Sequence, residues 1–212
     1  MNSVLNVLLR RAAAALMARR WSRLATLAAV VALAGLGAFT ALESDLAAKP
    51  VAGGQPSAAG YTLAGRVVRV ADGDTFTLLA GGRQQRVRMA SIDAPEVTKD
   101  RERPGQPHAQ ASKDALAALI AGKAVTLNCY ERDRYDRNVC DVPLGGGATA
   151  SRKQVAAGMA WANMEGRGKF MRDPALPALE RQARQARLGI WQQADPVSPW
   201  AWRYQCWQQQ RC

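Results

Sequence analysis

Two short segments of this chain concentrate acids and bases. VADGDTFTL sets Asp72 and Asp74 around Gly73, and VRMASIDAPE carries Arg88, Asp93 and Glu96. Taken singly, each has an ordinary explanation: Asp and Gly favour tight turns, and Asp-x-Pro-Glu is a common strand end. Together they suit a hard cation and a phosphodiester. Carboxylates at a turn and at a strand end can meet over one metal ion and supply oxygen ligands without any imidazole. Charge developing on a phosphodiester needs balancing, and arginine does this with a planar fork that binds two phosphate oxygens and stays charged. Arg88 alternates with Val87 and Met89, so a strand there projects it from the face opposite those neighbours. DRYDR offers a second arginine.

Composition narrows the chemistry further. The 212 residues contain one histidine, His108, so multi-histidine zinc sites are excluded and a Ser/His/Asp or Cys/His arrangement has only that imidazole to use. His108 opens a helix in a polar stretch and is read as exposed and uninvolved. With 48% hydrophobic and 22% charged residues the chain can bury a core, which rules out disorder and collagen-like structure. The net charge is +12, and the basic excess persists beyond residue 50, where 23 Lys/Arg face 15 Asp/Glu. Such a domain favours anionic partners, either nucleic acid or an anionic membrane surface.

The elements that must position these residues are legible in outline. TLAGRVVRV, TFTLLA and QQRVRMASI alternate apolar and polar residues, with DGD and GG between them as turns, and predict consecutive strands. HAQASKDALAALIA, residues 108–121, sets Ala111, Ala115, Leu116, Leu119 and Ile120 on one helical face, with Gly122 as a C-cap. VTLNC and RNVCDVPL return to strand, and a helix follows from about Ala150 to Ala157 that Gly158 closes. Asp173 as N-cap and Pro174 as first helical residue start a last helix that Gly189 ends. This order predicts the α+β class: a small five-stranded barrel with helices packed against it.

Domain boundaries follow from composition. Residues 1–23 are a basic leader, and Leu24–Leu42 is an uncharged apolar stretch of nineteen residues. As a helix it spans about 28 Å, close to the hydrocarbon thickness of a bilayer. Arg10, Arg11, Arg19, Arg20 and Arg23 precede it, while Glu43 and Asp45 follow. That asymmetry predicts a cytoplasmic N-terminus and export of the remainder, either as a membrane-anchored protein facing the periplasm or, if the leader is cleaved, as a periplasmic or secreted one. Residues 43–60 read as a flexible linker, 61–195 as the globular domain and 196–212 as a Trp-rich tail. Four cysteines allow three pairings. Cys129 with Cys140 and Cys206 with Cys212 are favoured over free thiols, because the first two flank a hairpin-like segment and the last two lie six residues apart. Trp161 and Trp191 read as core. Trp200, Trp202 and Trp207 beside Arg203 and Arg211 suit either a tail packed on the domain, which is favoured, or stacking on single-stranded nucleic acid.

At this point VADGDTFTL, VRMASIDAPE, DRYDR, GMAW and RLGIW, in that order between about Gly65 and Trp191, resemble the staphylococcal nuclease (thermonuclease) family. The resemblance implies an OB-type five-stranded barrel with three helices, and calcium-dependent hydrolysis of DNA and RNA with water attacking phosphorus. It implies that Asp74 and Asp93 are calcium ligands, with Ala94 contributing its backbone carbonyl where the family often has Thr. Glu96 would act as general base, Arg88 and Arg137 would clamp the phosphate, and Asp72 would support the metal from behind. Arg134 and Tyr135 match positions that touch a nucleotide's terminal phosphate. The chain departs from the family at Asp136, where a glycine is usual, and at ANMEGRGKF after GMAW, where base-stacking tyrosines are common. No feature points to a protein partner, and a monomer is expected. Two other readings remain: an inactive nucleic-acid-binding barrel, and an envelope interaction module built on the anchor and the tryptophan-rich tail.

Overall fold

The computed structural model describes residues 60–212. The basic leader, the apolar stretch Leu24–Leu42 and the linker up to residue 59 lie outside them. Among the described residues no helix is long and apolar enough to cross a membrane.

Alternation along each strand sends one set of side chains inward, and these fill a closed barrel. Strands β1 (Tyr61–Val70), β2 (Thr75–Ala80), β3 (Arg83–Met89), β5 (Ala124–Arg132) and β6 (Asn138–Asp141) close in the order β1-β2-β3-β6-β5. Val67, Phe76, Leu78, Val87, Met89, Leu127, Cys129 and Cys140 are all buried inside. Every neighbouring pair is antiparallel except β3 and β6, which run parallel with Arg88 opposite Val139. Closure leaves no barrel edge unpaired. A two-residue strand β4 (Ile92–Asp93) follows β3 and pairs with Trp161–Ala162.

Three helices cover the barrel: α1 (Ala109–Ile120), α2 (Ala150–Ala156) and α3 (Leu176–Gln185). In α1 the inward face is the expected one except at its first residue. Leu116 and Ile120 are buried as expected, but Ala111 is exposed and Ser112 turns inward in its place. A hydroxyl is tolerated there because Ser112 Oγ donates to the Met159 carbonyl at 2.6 Å. Thr149 caps α2 by accepting from the Arg152 amide. Asp173 is buried, accepts from the Ala175 amide and pairs with Arg152 at 2.6 Å, so it anchors the start of α3 from outside the helix. That helix stops at Gln185, before Gly189, because the chain turns earlier through Arg187 at φ 50°. A smaller core joins Ala183 and Ile190 to Trp161 and Trp191, whose rings meet edge to face at 5.2 Å.

Both expected disulfides are present. Cys129–Cys140 crosses directly opposed positions of β5 and β6, and Cys206–Cys212 closes the tail. The tail folds as Pro199–Trp202, an α-helical turn, running into the wider turn Arg203–Gln208. It packs on the domain: Trp202 Nε1 and Trp207 Nε1 both donate to the Pro104 carbonyl, at 3.1 and 2.9 Å.

The DGD turn is held where α1 and α2 meet the barrel. Gln154 of α2 is buried, and its amide donates to the Gly73 carbonyl at 2.8 Å and the Ser112 carbonyl at 3.0 Å. A Cβ on Gly73 would lie 1.8 Å from Ser112 Oγ and 2.7 Å from Ala94 Cβ, so only glycine lets the turn approach this closely. Gly73→Ala is expected to destabilise the fold by about 3 kcal/mol in chemical denaturation through overpacking. Gly81→Ala, at φ 54° with open space around it, should cost only about 1 kcal/mol of backbone strain.

Candidate active site

The carboxylates named from sequence converge where the start of β2, the end of β3 and the end of β4 meet. Asp74 precedes β2 and Asp93 ends β4, and both are almost completely buried. One guanidinium joins them: Arg88 lies 3.2 Å from Asp74 Oδ1 and 2.6 Å from Asp93 Oδ1. Thr75 pairs with Arg88 across β2 and β3, and its hydroxyl donates to Asp74 at 2.9 Å. The remaining Asp74 oxygen accepts the Ala94 amide at 2.7 Å, and the Asp74 amide donates to Asp72 at 3.2 Å. Asp72, Asp74, Arg88, Asp93 and Ala94 thus form one connected network.

Burial and charge oppose each other in this network, with different outcomes for the two acids. At Asp74 desolvation is the largest influence and raises the pKa well above the usual carboxylate range; Arg88 opposes this, while Asp72 and Asp93 reinforce it. At Asp93 burial also acts upward, but the charge of Arg88 and the hydrogen bonds and charge of Arg203 outweigh it, so its pKa is lowered. Burial acts to lower the Arg88 pKa, but Asp74, Asp93 and Asp72 together raise it, fixing that side chain as a permanent cation.

Glu96 follows two residues after Ala94 and is set by Gln106. The Glu96 amide donates to Gln106 Oε1 at 2.9 Å, and the Gln106 amide donates back to the Glu96 carbonyl at 2.8 Å. Lys99 Nζ lies 3.7 Å from both Glu96 Oε2 and Asp72 Oδ2, which places the loop lysine beside the acids. The other Glu96 oxygen accepts from Arg203 at 2.8 Å, and Arg203 also grips both oxygens of Asp93, at 2.8 and 3.2 Å. Sequence reading missed this tail arginine as a member of the site. Its only local signal was a position among tryptophans and cysteines, and it stands 107 residues from Glu96.

Arg134, Tyr135 and Arg137 occupy the turn between β5 and β6, apart from the carboxylate network. The guanidiniums of Arg134 and Arg137 lie over the Tyr135 ring at 4.8 and 5.3 Å, and the ring is exposed. Asp136 adopts the left-handed conformation at φ 56°, so an aspartate serves where the family has glycine. Its carboxylate pairs with Arg132 and leaves Arg137 alone. Asp133 instead holds Arg137, at 2.7 Å from Nε and 2.6 Å from Nη2. Arg137 directly precedes Asn138, which lies opposite Val87 in the parallel β3–β6 pair, so the turn sits beside the strand that carries Arg88. His108 begins α1 with no side-chain capping bond.

Among the described residues no three His, Cys, Asp or Glu side chains form a ready cage for a metal. The donor chemistry nevertheless fits a hard divalent cation. Asp74 and Asp93 are buried oxygen donors sharing one compensating cation, and Ala94 lies within hydrogen-bond reach of Asp74. Two guanidiniums, those of Arg88 and Arg203, supply positive charge to these acids.

Comparison with known proteins agrees with the architecture. The family model described as "Staphylococcal nuclease homologue" matches residues 86–193. An "Uncharacterized endonuclease" of Escherichia coli is 40% identical over 140 residues, covering 66% of this chain and 84% of that protein. A "Micrococcal nuclease" of Shigella flexneri is 37% identical over 147 residues, covering 66% of this chain and 79% of that protein. An "Uncharacterized endonuclease" of Haemophilus influenzae is 34% identical over 141 residues, covering 66% and 72%. With the closed barrel, its helices and the DGDT…IDAPE network in place, the chain belongs to the staphylococcal nuclease family.

Proposed function

We propose that this protein is a calcium-dependent nuclease that hydrolyses phosphodiester bonds of DNA and RNA with little sequence preference. Membership of the family supports nuclease activity in general. The observation that carries the finer reading is the meeting of Asp74 and Asp93 on Arg88 at one end of the barrel, with Glu96 joined to Asp93 through Arg203. Pure binding of a polyanion gains nothing from three acids beside its path, whereas hydrolysis needs ligands and a base.

Asp74, Asp93 and the Ala94 carbonyl would hold calcium. When bound, the cation supplies Lewis-acid charge that offsets charge developing on the phosphate. Glu96 accepts a proton from the attacking water as the new oxygen–phosphorus bond forms. The ester oxygen leaves with its bond electrons and takes a proton from solvent. Arg88 and Arg137 donate to the non-bridging phosphate oxygens, which carry most charge as the bonds exchange. Asp133 and the Tyr135 ring orient Arg137 for this, and Asp136 takes no part because Arg132 engages it. Arg134 and Tyr135 contact the substrate's flanking phosphate. No base-stacking aromatic pair follows Trp161, where only Phe170 is near in sequence, so recognition rests on the phosphodiester.

The apolar stretch Leu24–Leu42 behind five arginines supports export, with retention at the membrane if it is not cleaved. The two disulfides agree with an oxidising compartment. Fractionation with external protease should find the domain outside the inner membrane; a domain protected in the cytoplasm contradicts export.

Cleavage of plasmid, single-stranded DNA and RNA by the full chain tests the enzymatic reading. Calcium is expected to support cutting and EGTA to stop it, with Glu96→Gln lowering turnover by roughly 10²–10⁴-fold at unchanged DNA affinity. A folded wild type that binds DNA and cuts nothing in millimolar calcium would establish the inactive binding barrel instead.

A further inference from the structure

The C-terminal tail supplies a cation to the acids of the site, and the contacts that fix it there are extensive. Arg203 places its fork on both Asp93 oxygens and on Glu96 Oε1, while Glu165 Oε2 stands 3.9 Å from its Nη2. Asp93 Oδ1 already accepts from Arg88, so every Asp93 oxygen faces a guanidinium. The Glu96 oxygens are divided between Arg203 and Lys99. In this arrangement Asp93 offers no oxygen free of an arginine, and Glu96 is held by its Oε1 to the same guanidinium.

Arg203 is not a passing surface side chain. Trp202 before it and Trp207 after it both donate to Pro104, which lies in the same loop as Glu96. Gln106 spans the two segments: its Oε1 accepts the Glu96 amide while its Nε2 donates to the Val197 carbonyl at 2.9 Å. Cys206 is fully buried and tied to Cys212. The tail therefore clasps the Glu96 loop and presents Arg203 at high effective concentration. Burial acts to lower the Arg203 pKa, yet Asp93 and Glu96 raise it, so the cation does not release by deprotonation.

We infer that Arg203 is a tethered internal competitor for the divalent cation: it holds Asp93 and Glu96 in the metal-free protein and must leave them before the site can load. This rests on the proposal that the acids bind calcium. The competition follows from charge. Asp72, Asp74, Asp93 and Glu96 crowd one region, and with no metal they need Arg203 as well as Arg88 and Lys99. A divalent cation satisfies the same oxygens, so each occupant weakens the other by the same factor. Nucleic acid gives the displaced guanidinium new anionic partners in its phosphates. Substrate and cation therefore favour each other's binding through the tail.

Calorimetric titration of calcium into the full chain, paired with thermal melting, tests this without reference to turnover. Arg203→Gln is expected to bind calcium roughly tenfold more tightly than wild type. Its metal-free form should melt lower, and its melting temperature should rise further on adding calcium. Arg203→Lys keeps the charge but loses the fork and should fall between the two. Cys212→Ser, which frees the clasp while keeping Arg203, should shift affinity the same way by less. Calcium affinity unchanged or weakened in both Arg203 variants overturns the inference while leaving a calcium-dependent wild-type nuclease intact. Failure of wild type and variants alike to bind calcium overturns the inference together with the proposed metal dependence.

Discussion

Two carboxylates buried at the end of a closed barrel are the constraint around which this site is arranged. Asp74 and Asp93 are nearly inaccessible, and burial acts to neutralise both. Uncompensated charges in such a place cost several kcal/mol each. Arg88 meets the requirement by bridging the pair from β3, and its own position is fixed by its register with Thr75 on one side and Val139 on the other. Barrel closure therefore orders the cluster: a slip of one residue in β3 would exchange Arg88 with the buried Val87 or Met89 and leave both acids without their cation.

Around that pair, the supporting contacts come from parts of the chain far apart in sequence. Gln154 holds the DGD turn from α2, and Gly73 permits the approach to Ser112 and Ala94. Gln106 sets the backbone of Glu96 and joins it to the tail. In the β5–β6 turn Asp133 braces Arg137, and the Tyr135 ring lies beneath two guanidiniums. The acids are thus held by the backbone and by side chains from several elements, with Arg88 of β3 and Arg203 of the tail supplying the cations nearest them.

The residues legible in sequence are those whose chemistry is local. DGDT and IDAPE announce a turn and a strand end, and the alternation in VRM places Arg88 opposite the core. The disulfides were legible because each pair is close along the chain, one across a hairpin and one across a short tail. Long-range partners were not. Arg203 reaches Asp93 across 110 residues, and Gln154 reaches Gly73 across 81. Nothing in the periodicity of either segment marks such a contact. In α1 only the first expected position fails: Ala111 is exposed, and Ser112, which looks like a surface residue until Met159 supplies its acceptor, is buried beside it. Asp136 and Arg187 show the same limit: left-handed backbone at non-glycine residues is decided by surrounding contacts rather than residue type alone.

The most direct test of the account is a crystal structure of the protein with calcium and a short oligonucleotide, using Glu96→Gln to prevent turnover. The account predicts a cation about 2.3–2.6 Å from carboxylate oxygens of Asp74 and Asp93 and from the Ala94 carbonyl. A phosphodiester should lie between Arg88 and Arg137, with Arg203 turned away from Asp93. Nucleic acid and calcium bound elsewhere, with both acids still paired to Arg88 and Arg203, would contradict it.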